Sequence, residues 1–258
     1  MSLSEHLIRI QNPDLRILTI DIERLAGLAR AWEPKTRYIS AANFVREPRT
    51  ICYAFRWYGE KAVQFDAEWL DGGHEGMTRR VHALYDQANI VYTYNGIKFD
   101  NKHLQGDWLK LGLVRPKPWK DVDLYPVTSQ FGYLSRSLDY TTRALGRPGK
   151  QLHYNHELAE AAVDGDEKAR RTLAKYNRGD VELTEWLADR LRPWIKTHPF
   201  PRCLGDEHQC PYCGSADLAS KGRTRAVVLE YALYQCKRCN GWVRGGWEAR
   251  AANTRAAS

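Results

Sequence analysis

Leu15-Arg16-Ile17-Leu18-Thr19-Ile20-Asp21-Ile22-Glu23 is the stretch on which the reading of this chain turns. Residues 15–20 are β-branched or apolar apart from one arginine, and they read as a buried strand. Side chains alternate along a strand, so Asp21 and Glu23 lie on one side and face one point in space. A lone carboxylate pair of this spacing is common by chance and assigns no chemistry. Outward from it, residues 49–65 read as two strands around the turn Tyr58-Gly59-Glu60. Helices are predicted over 75–88, 101–111, 137–145, 155–163 and 166–191, with further strands at 88–94 and 120–124. A β-rich start followed by alternating strands and helices predicts a mixed α/β sheet.

Two other segments carry acidic residues in a notable setting. In Tyr94-Asn95-Gly96-Ile97-Lys98-Phe99-Asp100 a strand runs through a glycine turn into a helix with aspartate at its start. An N-cap is the plain alternative for Asp100. In Tyr176-Asn177-Arg178-Gly179-Asp180 the tyrosine and aspartate are spaced i, i+4 and share one helix face. That spacing is also common on ordinary helix surfaces.

The 258 residues allow one large domain or two small ones. With 43% hydrophobic and 27% charged residues the chain can bury a core, which excludes disorder throughout. No apolar run is long enough to span a bilayer. The first residues, MSLSEHLIRIQNPD, lack the pattern of a signal peptide, so a cytoplasmic protein of a bacterium or phage-infected host is expected. Lys and Arg total 39 against 31 Asp and Glu, a formal charge of +8. That excess suits a polyanionic partner, nucleic acid above all; a merely basic surface is the alternative.

Cys210-Pro-Tyr-Cys213 and Cys236-Lys-Arg-Cys239 form two CxxC pairs separated by residues 214–235. Each CxxC turn can place two thiolates about 2.3 Å from one metal, and two turns close a tetrahedron. One structural Zn²⁺ in a zinc ribbon is therefore expected, ahead of disulfides or a redox pair. Of the two other cysteines, Cys52 reads as a small buried hydrophobe. Pro193, Pro199 and Pro201 punctuate a linker. Arg225–Cys236 is predicted as a strand, and the last eleven residues as a loose basic tail.

Taken together, Asp21-x-Glu23, Asn95-Gly96-x-x-Phe99-Asp100 and Tyr176-x-x-x-Asp180 resemble the exonuclease superfamily with the DEDD carboxylate set, in its tyrosine variant. The second motif has a form similar to proofreading domains of B-family polymerases. The resemblance covers about residues 15–195. The ribbon, with Gly149-Lys150-x-x-His153 and the segment around Tyr176, also looks like phage and bacterial RNase H-like proteins with a zinc-ribbon tail. The resemblance implies an RNase H-like domain over 1–200, a ribbon over 201–247 and a tail over 248–258. It implies a 3′→5′ exonuclease using two Mg²⁺ or Mn²⁺ ions. Asp21 would bridge the ions, Glu23 and Asp180 complete the attack site, Asp100 hold the second ion, and Tyr176 orient water.

Single-stranded nucleic acid is the expected substrate, DNA ahead of RNA. A ribonuclease, a structure-selective endonuclease and a non-catalytic adaptor acting through the ribbon are the alternatives. Candidate substrate contacts are Ile22, Asn95, Gly96, Lys98, Lys102, Arg223, Arg225 and Trp242, although Lys98 and Lys102 could be ordinary solvated lysines. Basic and aromatic residues interleave in the ribbon, which suits nucleic acid; docking to a replication or repair protein competes. Asp121 and Asp123 are expected to support the site without binding metal. Asp139 reads as part of a helix start, and His103 as a surface histidine. His153 and His156 read as loop or cap residues. Residues 24–48 are an insertion-like stretch that could shape the cleft or be a surface loop.

Overall fold

The computed structural model describes residues 15–33, 35–196, 198, 209–225 and 229–250; for 247–250 the backbone alone is described. Two compact units emerge, one spanning Arg16–Glu185 and a second that includes the residues from Trp186 onward.

The first unit begins with β1 (Ile17–Leu25), which extends through the acidic pair. The 24–48 stretch contains a small ladder, β2 (Leu28–Ala29) against β3 (Phe44–Arg46). The hairpin follows as β4 (Arg49–Trp57) and β5 (Gln64–Ala67). Next come α1 (Gly73–Gln87), β6 (Ile90–Thr93), α2 (Asp100–Lys110) and β7 (Lys120–Asp123). α3 (Leu124–Thr128), α4 (Leu138–Ala144), α5 (His156–Val163) and α6 (Glu167–Leu191) complete the sequence of elements up to the ribbon. α3 escapes the periodicity because it is one short turn containing Pro126. Proline is tolerated there because a first-turn N–H has no helical partner anyway, and the Asp123 carboxylate caps the turn by accepting from Tyr125 N (3.0 Å).

The five-stranded sheet has the order β5-β4-β1-β6-β7. β1 and β6 pair in parallel, as do β6 and β7, whereas β4 runs antiparallel to both β1 and β5. Alternation along the central β1 divides the core. Leu18, Ile20 and Ile22 point to one face, where Met77, Val81 and Tyr85 of α1 and Leu104 and Trp108 of α2 cover them. Each such side chain contributes about 1.5–3 kcal/mol on burial. Leu25 points to the other face, against Ala159 and Ala162 of α5 and Ala169 and Leu173 of α6. Asp21 and Glu23 have the same parity as Leu25, so they point to the face that α6 covers. Small residues lie opposite them on β4, Ala54 beside Asp21 and Cys52 beside Glu23. Cys52 is wholly buried.

In the second unit the Arg225–Cys236 run is divided. Arg225 ends β8 (Leu218–Arg225), and Leu229 begins β9 (Leu229–Cys236), which returns antiparallel with Arg225 opposite Glu230. The polar β8 has no apolar alternation to announce it; backbone pairing with β9 recruits it, aided by Leu218 in the ribbon core and the ion pairs of Arg223 and Arg225 with Glu230. β10 (Trp242–Arg250) closes this three-stranded sheet and extends three residues into the segment predicted as a tail. Pro193 lies in a single 3₁₀ turn, Arg192–Trp194. Pro199, Pro201, Cys203 and residues 251–258 fall outside the described residues. Among the described residues no helix is long and apolar enough to cross a membrane.

Candidate active site

β1 carries Asp21 and Glu23 to the face covered by α6, and α6 presents Asp180 to them. One ligand oxygen from each of the three carboxylates lies within 4.8 Å of the others. Asp21 is fixed from the same helix: Asn177 Nδ2 donates to Asp21 Oδ2 (2.7 Å) and to its main-chain oxygen (3.1 Å). Tyr176, Asn177 and Asp180 therefore act from one helix face, as i, i+1 and i+4 residues whose surfaces meet the strand.

Asp100 is not part of that three-residue set. It is the first residue of α2, buried, and its Oδ1 accepts from Ile22 N (3.0 Å) between the two β1 carboxylates. Phe99, not Asp100, holds the N-cap position, so the capping alternative does not apply. Ile22 is tied to the acidic cluster through its backbone; its side chain belongs to the core.

The turn before α2 is built for close approach. Asn95 takes a left-handed conformation (φ 68°), one that asparagine tolerates better than most residues. A Cβ at Gly96 would lie 2.3 Å from Thr93 Cβ, so no side chain fits there. Asp123 braces the turn by accepting from Asn95 N (2.7 Å) and Ile97 N (3.2 Å). Asp121 accepts from Asn101 Nδ2 (2.7 Å) and Trp119 Nε1 (2.8 Å), and Asn101 in turn accepts from Tyr85 OH (2.6 Å). Both aspartates hold α2 and its turn in place. Lys98 and Lys102 are exposed on this segment.

Lys150 and Asn177 stand at the centre of the site although neither was singled out as a site residue above. Lys150 Nζ donates to Asp180 Oδ2 (2.7 Å) and to Tyr176 OH (2.8 Å). Its position depends on Asp139, whose Oδ1 accepts from Lys150 N (2.8 Å) and whose other oxygen pairs with Arg143. Gly149 permits this approach, since a Cβ there would lie 2.1 Å from Asp139 Oδ1. Lysine in a loop gives no periodic signal, and only the Gly149-Lys150 pair hinted at it. The His153/His156 pair is not in the site: Asn155 caps α5 and His156 is its first residue. His103 packs edge-on against Phe99.

Burial is the largest influence on these groups and raises the pKa of each carboxyl. Asp21 and Glu23 are pushed well above the usual carboxylate range, first by burial and then by the charge of Asp180. Asp100 is pushed up to about 7 by burial, against the opposing pull of the Ile22 N–H. Asp180 is also raised by burial, offset in part by Lys150. Burial and the surrounding carboxylates raise the Tyr176 hydroxyl, which stays a phenol near neutral pH. An oxygen-only, anionic donor set, with Asp100 and Asp180 buried and Asp21 and Glu23 partly so, fits a hard divalent cation such as Mg²⁺ or Mn²⁺.

A stability effect follows with a definite sign. Acids whose folded pKa lies above the unfolded value favour the fold while protonated, and that contribution disappears as pH rises through the folded pKa. Metal-free protein should thus melt at a higher temperature at pH 5.5 than at pH 8. At pH 8, Mn²⁺ at a hundredfold its dissociation constant should add about 2.7 kcal/mol, or roughly 5–10 °C. Calorimetry across this range checks both; a melting temperature that rises from pH 5.5 to 8 and ignores Mn²⁺ would contradict them.

In the ribbon the four Sγ atoms of Cys210, Cys213, Cys236 and Cys239 lie within 4.8 Å of one another and are all buried. Cys210–Cys239 and Cys213–Cys236 Sγ separations are 3.5 and 3.6 Å. These are close to the edge of about 3.8 Å of a tetrahedron with 2.3 Å metal–sulfur bonds, so the group fits zinc. Each CxxC is followed by a left-handed residue, Gly214 (φ 73°) or Asn240 (φ 56°), which turns the chain back around the sulfurs. Arg223 and Arg225 both ion-pair with Glu230, at 3.0 and 2.8 Å. Trp242 is exposed, and the Arg244 guanidinium lies 4.1 Å from the Tyr231 ring centroid.

No family model and no curated protein matches the chain. Solved structures do. The family B DNA polymerase from the hyperthermophilic archaeon Pyrobaculum calidifontis superposes with a TM-score of 0.54 over 70% of this chain, at 19% identity. The fold is RNase H-like. The mixed sheet with its one antiparallel inner strand and flanking helices carries that assignment together with the superposition. The chain spans 25% of the polymerase's length, and at this identity the likeness is one of fold.

Proposed function

We propose that the RNase H-like unit is a divalent-metal-dependent nuclease, a 3′→5′ exonuclease acting on single-stranded DNA. The observation that carries this reading is the convergence of Asp21, Glu23 and Asp180 around one point, with Asp100 and Tyr176 beside them. Asp21, Glu23 and Asp180 would hold one Mg²⁺ or Mn²⁺, and Asp100 would help Asp21 hold a second. Two such ions, when bound, make water nucleophilic near neutral pH and offset charge on the leaving oxygen.

The chain's own groups do the rest. Asn177 holds Asp21 in its rotamer, and the Ile22 N–H keeps Asp100 ionisable despite burial. Tyr176 remains protonated, so it orients the attacking water through its hydroxyl and does not remove its proton. Lys150 fixes that hydroxyl and balances the charge of Asp180. Asn95 and Gly96 shape a turn on which a terminal nucleotide can rest, with Lys98 and Lys102 near its phosphates. The proposed plan is a catalytic domain over 1–200, a zinc ribbon over 201–247 and a tail over 248–258. Trp242 and the Arg244–Tyr231 pair favour nucleic acid as the ribbon's partner over a replication or repair protein. The cations of Arg223 and Arg225 are shared with Glu230.

DNA and RNA oligonucleotides of one sequence, labelled separately at each end, test the reading in Mg²⁺ or Mn²⁺. The expected result is a ladder shortening from the 3′ end of DNA, absent with Asp180→Ala. Preference for RNA would make it a ribonuclease, and internal cuts an endonuclease. Binding without cleavage would make the protein an adaptor.

A further inference from the structure

We propose that residues 30–33 and 35–43 form a strand-gripping arm that binds single-stranded nucleic acid upstream of the carboxylate site, through base stacking on Trp32 and Tyr38 and phosphate contacts to Arg30, Lys35 and Arg37. The inference rests on the nuclease reading for its occupant, and its own support is the construction of the arm. β1 leaves the site at Glu23 and feeds β2 within five residues. The base of the arm is firmly held. Arg46 Nη2 donates to Ala26 O (3.1 Å) and to Glu160 Oε1 (2.8 Å) on α5. Arg24 Nη2 donates to Pro48 O (3.0 Å), and Tyr154 OH to Arg24 O (2.5 Å). Arg30 N closes the ladder onto Asn43 O (2.9 Å). Phe44 lies so close over Gly27 that a Cβ there would be 2.6 Å from its ring.

Beyond that base Thr36 Oγ1 donates to Tyr38 O (2.9 Å), which braces the backbone that carries Tyr38. Trp32 is 101% exposed and Tyr38 80% exposed, so both rings are open to a ligand. Arg30, Lys35 and Arg37 are exposed and form no ion pair among the described residues. Two exposed aromatic rings and three cations that form no ion pair among the described residues, against the single carboxylate Glu33, sit on a braced base that starts at the proposed metal ligands and match the chemistry of single strands. Every base offers a face for stacking, and the backbone offers phosphates. A protein partner would favour aromatic anchors set in an apolar patch, which this cationic tip lacks.

The test is the affinity of a fluorescein-labelled single-stranded oligonucleotide for the zinc-loaded full chain, read by anisotropy without Mg²⁺ or Mn²⁺. Trp32→Ala/Tyr38→Ala should weaken binding roughly tenfold or more. Trp32→Phe should keep most of the affinity. Arg30→Gln/Lys35→Gln/Arg37→Gln should lower the slope of log K against log salt by about 2. Both multiple variants should melt as the unaltered chain does, because exposed side chains contribute little to stability. If cleavage exists, KM should rise with kcat unchanged. Affinity and salt slope unchanged in both variants would overturn the arm, even if the protein proves to be a nuclease. Loss of self-association in sedimentation, with oligonucleotide binding intact, would also overturn it and make the tip a protein contact. Weakened binding in a protein that never cleaves would sink the nuclease reading and leave the arm standing.

Discussion

Asp21→Ala should lower metal-dependent cleavage by roughly a thousandfold or more, to the level of protein without divalent metal. In the proposed site Asp21 would help hold both ions, which when bound would supply several kcal/mol of charge stabilisation, and each 1.4 kcal/mol is tenfold in rate. The scaffold orients the Asp21 carboxylate through Asn177, which also holds its main-chain oxygen. Removing it relieves repulsion within a buried anionic group, so metal-free Asp21→Ala should melt no lower than the unaltered protein. Its stability should also vary less between pH 5.5 and 8. That pairing of lost activity with retained or improved stability separates a catalytic carboxylate from a structural one. Asp180→Ala should lose activity to the same extent but melt lower, because it leaves Lys150 without its carboxylate partner. The double variant should be no slower than either single one, because ligands of one site fail together. Residual cleavage within tenfold of the original rate would remove Asp21 from the proposed mechanism.

Cys213→Ser should cost the ribbon its zinc and its fold. The described ribbon core is small: the four cysteines and Val243, with Tyr212, Leu218 and Tyr234 partly buried against them. So little apolar surface cannot offset the entropy of ordering three strands. A structural zinc contributes about 10–16 kcal/mol in small domains of this kind. Metal analysis should give one zinc per unaltered chain and less than a tenth of that in the variant. Rapid proteolysis within 209–250 should accompany the loss, while 16–185 survives. Cleavage of short oligonucleotides should persist, since all five proposed catalytic residues lie in the other unit. An unaltered chain that carries no zinc and still resists proteolysis through 209–250 would refute the ribbon as a metal-dependent fold.

Much of this architecture is legible in local pattern. A strand ending in Asp21-x-Glu23 must place both carboxylates on one side, because the backbone pleat has a period of two. The tyrosine and aspartate of α6 must share a face, because a helix turns once in 3.6 residues. Helices with clear apolar spacing, such as the one bearing Met77, Val81 and Tyr85, are equally plain. The two CxxC turns constrain their sulfurs so tightly that the ribbon can be read from spacing alone. Short-range geometry is set by covalent structure, and the residues concerned are near neighbours in the chain.

What the chain does not announce depends on long-range partners. Lys150 joins Asp180 and Tyr176 across 30 and 26 residues of sequence, and its anchor is a glycine folded onto Asp139. Nothing local distinguishes that lysine from a solvated one. Asn177 is unremarkable until β1 is laid against α6. For Asp100 a cap stays open as the alternative until packing turns it toward Ile22 N, and β8 has no pattern until β9 pairs with it. The sequence by itself determined which strands and helices form and which of their carboxylates share a face, since those follow from periods of two and 3.6. The tertiary structure alone decided which charges meet, how deeply they are buried and how far their pKa values move, because desolvation and Coulomb interaction act through space and have no period along the chain.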